Sequence, residues 1–246
     1  MSSFEALAAA STLDLLAFSP PGWGATLLAG LLNSIIIAIG AYSLGLCIGF
    51  GGAFGKLYGG PILKDLLAVY TTIVRAVPEL VLILFLFYAV PGLVNEVLIS
   101  LGIDRITIPA LITGIAVLGV VQGAYCTEVL RGAILAVPAG QIEAARAMGM
   151  PRTLLARRIT LPLMAANALP GLANLWLNAT KDTALLAVIG FSELTQATKQ
   201  AASTTKAFFT FFLAACVLYL ILSLVSTYLL ARLEKWARRG QRDVRG

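Results

Sequence analysis

Histidine is absent from this 246-residue chain, and with it the commonest metal ligand and general base. Cysteine occurs only at 47, 126 and 216, each alone inside an apolar run. Such residues read as small packing groups rather than as a disulfide framework or a zinc cluster. Charge is scarce too: 12% of residues are Asp, Glu, Lys or Arg, where a soluble domain carries about 25%. So few charges cannot cover a water-facing surface. Lys and Arg are missing altogether from residues 1–55, so the amino end lacks the basic flank of a cleaved signal peptide, and its first apolar run is expected to stay as a span. No internal repeat and no low-complexity linker stands out.

In place of charge there is hydrocarbon. The chain is 59% hydrophobic with mean hydropathy +0.90, and runs longer than the roughly 18 residues needed to cross a bilayer recur. An all-α integral membrane bundle with five transmembrane helices is expected, over 26–55, 66–90, 106–136, 161–189 and 208–231. Glycines at 40, 45, 49, 51 and 52 in the first leave small surfaces for close helix contact. The 13–18 stretch before the prolines at 20 and 21 is too short to cross and reads as an interfacial helix. The resulting division is a periplasmic segment 1–25, a permease-type bundle 26–231 with a loop at 138–160, and a basic tail 232–246.

The net charge of +6 is placed where a membrane protein puts it, not where nucleic acid would need it. Lys56 and Lys64, then Arg146, Arg152, Arg157 and Arg158, then the tail from Arg232 fall on one side of a five-span layout. Basic flanks mark the cytoplasm, so the N-terminus is expected outside and the C-terminus inside. The other side receives Glu5, Asp14, Glu96, Asp104, Arg105, Glu193, Lys199 and Lys206.

The third loop is the most informative. Residues 141–148 are good helix formers with Glu143 near the start. Gly149 suits the left-handed residue that closes a helix, and Pro151 forbids its continuation. A new helix is expected from about Arg152, bent by Pro162 as it enters the bilayer. Glu143, Ala144 and Ala145, then Gly149, then Ile159, Leu161 and Pro162 stand at the spacing of the signature of bacterial ABC importer permease subunits. That resemblance implies the type I ABC importer transmembrane fold in the inner membrane. It implies too that this loop docks on a separate ATPase subunit, and the signature residues are the candidate coupling set.

A closer resemblance is carried by Tyr70 through Leu80, by Gly123 through Ile134, and by Lys181-Asp182-Thr183-Ala184-Leu185. These stretches look like the polar amino acid permeases of histidine, lysine/arginine/ornithine and opine uptake, although Ala184 stands where the family has a small hydroxyl residue. The resemblance implies a translocation subunit for polar, basic amino acids or opine-like derivatives, not an enzyme acting alone. It would work with a second, related permease chain as a heterodimer, two ATPase subunits holding ATP and Mg, a periplasmic binding protein and membrane lipid. The run from Gly51 to Leu57 resembles a phosphate loop but is one residue short and has Leu57 in place of Ser or Thr, so no cofactor site is expected in this chain. A secondary transporter or channel is the alternative; those folds commonly show repeats, and neither explains a capped loop helix. An intramembrane enzyme lacks a nucleophile–base pair.

Ionisable residues at membrane depth are costly and point to function. Arg75 and Glu79, four apart, are expected to share a helix face and offset each other, with Pro78 loosening the backbone between them. Glu128 and Arg131, three apart, read as a structural pair near the interface. Lys181 and Asp182 are adjacent and cannot share a face. Arg75, Glu79, Lys181, Asp182 and Thr183 form the candidate substrate pathway, with structural pairing as the other reading of their charges. Glu79→Gln and Asp182→Asn are each expected to lower uptake in reconstituted vesicles with assembly intact. Unchanged kinetics in both would remove the two carboxylates from the pathway.

Overall fold

The computed structural model describes residues 14–20, 22–237 and 239, and all regular structure among them is helical. Helix α1 covers Gly24–Tyr58, α2 Pro61–Ala76, α3 Glu79–Ser100, α4 Ala110–Leu135 and α5 Ala139–Ala147. Then follow α6 at Arg152–Leu155, α7 at Leu161–Asp182, α8 at Leu194–Thr205 and α9 at Phe208–Ala237. Tighter 3-10 turns lie at Asp14–Leu16 and Thr183–Ile189, and a wide π turn at Ala156–Thr160.

Among the described residues four helices, α1, α3, α4 and α9, are long and apolar enough to cross a membrane. The sequence predicts five, and two of its spans come out differently. The one expected over 66–90 is broken. Val77 is extended at φ −85° and ψ 138°, the conformation that the ring of Pro78 favours in the residue before it. What precedes the break is α2, and the apolar crossing is α3. The one expected over 161–189 is α7 followed by a 3-10 turn. Its 22 residues reach about 33 Å, enough to span. Asn167, Asn174, Asn178, Lys181 and Asp182 lower its hydropathy, so composition alone does not mark it as a crossing.

Pro162 is the second residue of α7 within one continuous helical run from Arg152 to Asp182, and the missing N–H of its ring is accommodated by a local change of helix type. The irregularity lies just before it: the N–H of Leu161 donates five residues back to the carbonyl of Ala156. The wider turn accommodates a proline ring that would crowd the preceding carbonyls of a regular helix.

The described part of the amino end is a turn, not an amphipathic helix. Only Asp14–Leu16 is helical, and the chain doubles back so that Trp23 N–H donates to Leu15 O (2.8 Å) and Gly24 N–H to Ala17 O (3.0 Å). Residues 1–13 and Pro21 of the expected periplasmic segment lie outside the described residues. Of the expected tail, residues 232–237 continue α9, with the Arg232 guanidinium 4.7 Å from the centre of the Tyr228 ring; residues 238 and 240–246 lie outside the described set.

The chain divides into two compact units, and the division falls inside helices. The first comprises Met1–Ala41, Ile83–Leu118 and Ala179–Leu224. Its core is Leu15, Leu27, Phe211 and Ala215 packed with α8. Buried residues of α8 fall at 194, 197, 198, 201 and 202, the one-sided stripe of a 3.6-residue period. The 192–205 stretch, expected as an outer loop, is therefore largely helix. Its anchor is Glu193, which is fully buried. Its Oε1 accepts from Gln196 N–H (2.8 Å) and caps α8; its Oε2 accepts from Ser34 (3.2 Å) and from Tyr219 (3.0 Å). One carboxylate thus joins α1, α8 and α9 within this unit.

The second unit comprises Tyr42–Leu82, Gly119–Asn178 and Val225–Gly246. Ala53, Leu130, Ala133, Val137, Met164 and Ala168 form a core of it. Tyr42 donates to Leu172 O (2.9 Å) and meets Trp176 edge-on at 5.4 Å. Here α1 and α4 pack backbone to backbone: a Cβ on Gly49 would collide with Cβ of Cys126, and 3.0 Å away lies that residue's carbonyl carbon. Gly51, two residues on, faces open space.

Gly49→Ala is expected to destabilise by about 1–3 kcal/mol through overpacking, whereas Gly51→Ala is neutral or slightly stabilising through helix propensity. Melting of the purified protein in detergent distinguishes them; equal effects would refute the close approach. Glu193→Ala removes the acceptor of Gln196 N–H and leaves the Ser34 and Tyr219 hydroxyls only Gly30 O and Thr195, which should cost about 1–3 kcal/mol. Glu193→Gln should cost less, because the Ser34 and Tyr219 hydroxyls can turn to accept from the new amide.

Candidate functional site

The signature loop folds as a capped helix. Pro138 stands at the N-cap of α5, and its fixed φ of −59° is already compatible with a helix start. Glu143 is the fifth residue of the nine, not part of the first turn as the sequence suggests. At the other end Gly149 takes φ 73°; its N–H donates to Arg146 O (2.9 Å) and that of Met150 to Ala145 O (3.1 Å). Those two bonds satisfy carbonyls that a helix end leaves open, and only glycine adopts this backbone without strain. Pro151 then caps α6.

One side of this element is seated and the other is free. Ala145 and Leu155 are buried, and Ile142 packs on the core around Leu130 and Met164. Glu143, Ala144, Arg146, Gly149, Arg152, Arg157 and Arg158 are exposed, and Met148 is 85% exposed. Ile159 is half-buried within the π turn, while Leu161 and Pro162 at the start of α7 are exposed. The candidate coupling residues therefore divide into those that present a surface and those, Ala145 and Ile159, that hold it in place.

Charges expected as separate features meet in a cluster. The predicted Glu128–Arg131 pair is present, with Arg131 Nε and Nη2 at 3.1 and 3.0 Å from Glu128 Oε2. Lys56, expected in a loop, lies in the last turn of α1 instead. Its Nζ is 2.5 Å from both Glu128 Oε1 and Thr71 Oγ1. One carboxylate serves two cations, and the group ties together α1, α2 and α4. No local spacing signals a pair 72 residues apart; only the cost of a lone ammonium at the end of an apolar helix hints at a distant anion.

The candidate pathway residues do not form the arrangement that spacing suggests. Arg75 ends α2 and Glu79 begins α3, so the extended Val77 prevents them from sharing one helix face, and no ion pair joins them among the described residues. Arg75 is exposed and Glu79 half-buried. Both belong to the second unit, whereas Lys181, Asp182 and Thr183 belong to the first. Lys181 borders a cavity of about 380 Å³ with Ala184, Tyr219 and Ser223. Asp182 ends α7, half-buried and engaged in an interaction of its own. Thr183 is fully buried, its hydroxyl donating to Thr180 O (2.8 Å) where the helix tightens. Tyr219 is a cavity residue that the sequence did not single out; an aromatic within an apolar helix carries no local signal of its buried partner Glu193.

Between α3 and α4, Asn95 and Ile106 pair like two strand residues. Ile106 N–H donates to Asn95 Oδ1 (2.9 Å) and Asn95 Nδ2 to Ile106 O (3.1 Å). Residues 95–100, expected in a loop, are the last turns of α3.

Residues 45–239 match the family described as binding-protein-dependent transport system inner membrane component. The nopaline transport system permease protein NocQ of Agrobacterium fabrum is 41% identical over 94% of this chain and 99% of its own. The histidine/lysine/arginine/ornithine transport system permease protein HisQ of Escherichia coli is 39% identical over 87% of this chain and 94% of its own. Among solved structures, one described as an amino acid ABC transporter with histidines superposes with a TM-score of 0.75 at 27% identity, covering 92% of this chain and 99% of that one. The MetNI methionine ABC transporter, at 19% identity and a TM-score of 0.71, shares the fold. The chain is thus a multi-pass inner-membrane permease with the type I ABC importer fold, and it belongs to the family of binding-protein-dependent transport system inner membrane components.

Proposed function

We propose that this permease translocates polar, basic amino acids or opine-like derivatives, driven by a separate ATPase that docks on α5. The observation that carries the ATPase-coupling reading is the closed turn at Gly149. It holds a nine-residue helix rigidly against the second unit's core while leaving Glu143, Ala144 and Met148 free to enter a partner's cleft. A rigid, seated helix transmits a push; a floppy loop does not. The substrate class is supported by the relatives, which carry nopaline, octopine and the basic amino acids with histidine in their names.

The ATPase pair holds ATP and Mg, a periplasmic binding protein delivers the substrate, and a second related permease completes the membrane portion. Alternating access needs two bundles that move about a central path, and this chain supplies one. α7 serves as the fifth crossing: it is long enough, and its asparagines and Lys181 suit a wall of a wet path better than a lipid face. An odd number of crossings then places the N-terminus outside and the basic end of α9 in the cytoplasm, in line with Arg146, Arg152, Arg157 and Arg158. Along the path, Glu79 and Asp182 favour a cationic substrate, and Lys181 at its cavity suits a substrate carboxylate.

Gly149→Val places a β-branched residue at φ 73°, a strain of about 1–2 kcal/mol that opens the turn. It is expected to lower ATP-driven uptake and binding-protein-stimulated hydrolysis while the spans remain folded. Gly149→Asn, which tolerates the left-handed region, should retain most of both. Normal coupling in the valine variant would refute the docking role.

A further inference from the structure

Helix α2 of the second unit is sparsely held. Its buried residues are Thr71 and Val74, and most of the rest are exposed. Both its ends are jointed. Gly60 before it is extended at φ −67° and ψ 168°, and Val77 after it at φ −85° and ψ 138°. A helix bounded in this way turns as a body about its ends unless side chains tie it down.

Its ties run to α1 and α4. Leu67 lies so close to Gly55 of α1 that a Cβ there would collide with it. The Tyr70 hydroxyl donates to Val120 O of α4 (2.5 Å). The Lys56 ammonium donates to Thr71 Oγ1 (2.5 Å), whose own proton goes to Ala68 O (3.2 Å). Lys56 also reaches Glu128 Oε1, while Arg131 holds Oε2. The Lys56 and Glu128 side chains are 12% and 18% exposed, so solvent screens the pair little.

The same turns carry the seat of α5. Ile142 packs on a core that includes Ala53 and Leu130. Ala53 stands three residues before Lys56 on α1, and Leu130 two after Glu128 on α4. The two helices are close-packed here: a Cβ on Gly52 would collide with the Thr127 side chain. A displacement of α5 therefore bears on the turns from which the Lys56–Glu128 pair reaches α2. One turn beyond Thr71 on α2 is Arg75, followed by the joint at Val77 and by Glu79. Packed side chains and hydrogen-bonded charges of this kind carry coupling where an element has two arrangements. The joints at Gly60 and Val77 allow α2 a second arrangement, and the cluster fixes the first.

We propose that Lys56 and Glu128 are positioning residues for translocation. They clamp α2 to the seat of α5, so that the push of the ATPase moves the helix that carries Arg75. This rests on the docking of α5 proposed above. Thr71 distinguishes the role from that of a plain ion pair, because it brings the cluster onto the jointed helix.

The test uses the complete importer in vesicles with its binding protein and reads substrate moved per ATP hydrolysed. Thr71→Val keeps the shape of the side chain and leaves both ion pairs in place, so the spans assemble as before. Lys56→Met leaves Glu128 its Arg131 partner. Each is expected to lower transport per ATP about fivefold or more, the low end of the range for coupling between sites, with KM for the loaded binding protein unchanged. Lys56→Arg, which can still donate to both Glu128 and Thr71, should keep the ratio near that of the unmodified chain. A parallel fall in uptake and hydrolysis with the ratio kept would make the cluster structural only and overturn the proposal. So would an unchanged ratio in Thr71→Val and Lys56→Met beside a reduced one in Gly149→Val, a result that leaves the docking of α5 standing. An unchanged ratio in Gly149→Val as well would remove the docking and the clamp together.

Discussion

Inside a bilayer a backbone N–H or C=O has no water to bond, so its partner has to be another group of the protein. This constraint explains where the chain is regular and where it is not. The four apolar crossings are uninterrupted helices. Each interruption is provided for locally. Val77 still donates to Ile73 O before Pro78, whose carbonyl receives Leu82 N–H in the new helix. The π turn passes Leu161 N–H to Ala156, and the 3-10 turn after Asp182 closes on Gly190 at φ 81°. The irregular places are therefore anchored bends, and they fall beside the residues with functional claims: Arg75 and Glu79, the coupling signature, and Lys181 to Thr183.

Side-chain charges obey the same rule on a second level. Glu128 is shared between Lys56 and Arg131, and Glu193 gathers a backbone amide and two hydroxyls. Each carboxylate binds several elements of one compact unit, so the polar contacts that membrane burial demands also set which helices are held together. By contrast, Arg75 and Lys181 are exposed, and Lys181 opens on a cavity. Cations left facing outward from their own unit are the ones available to a substrate or a partner chain.

The apolar surface separates by shape. On α2 the exposed Ile62, Leu66, Val69 and Ile73 form an ordinary helix face. The hollow beside Phe209 is concave. Hydrophobicity is common to both; curvature separates them.

The amino-acid order by itself determined the membrane class, the crossings at α1, α4 and α9, and the capped helix before Gly149. These follow from local properties: run length, the lone conformational freedom of glycine, and the missing N–H of proline. It also contained the break at Val77–Pro78, but a proline inside an apolar run is equally compatible with a kink, and only the surrounding packing selects separation into two helices. Tertiary structure alone decided that Lys56 meets Glu128, that Glu193 is buried beneath Tyr219, and that the 194–205 stretch is a helix packed on a core. The two charge contacts join residues 72 and 26 positions apart and the helix packs on Leu15 and Leu27, and no periodic pattern records which distant partner a buried charge will find. Arg75 and Glu79 show the converse: a spacing that suits pairing on one helix loses its meaning once the helix between them ends.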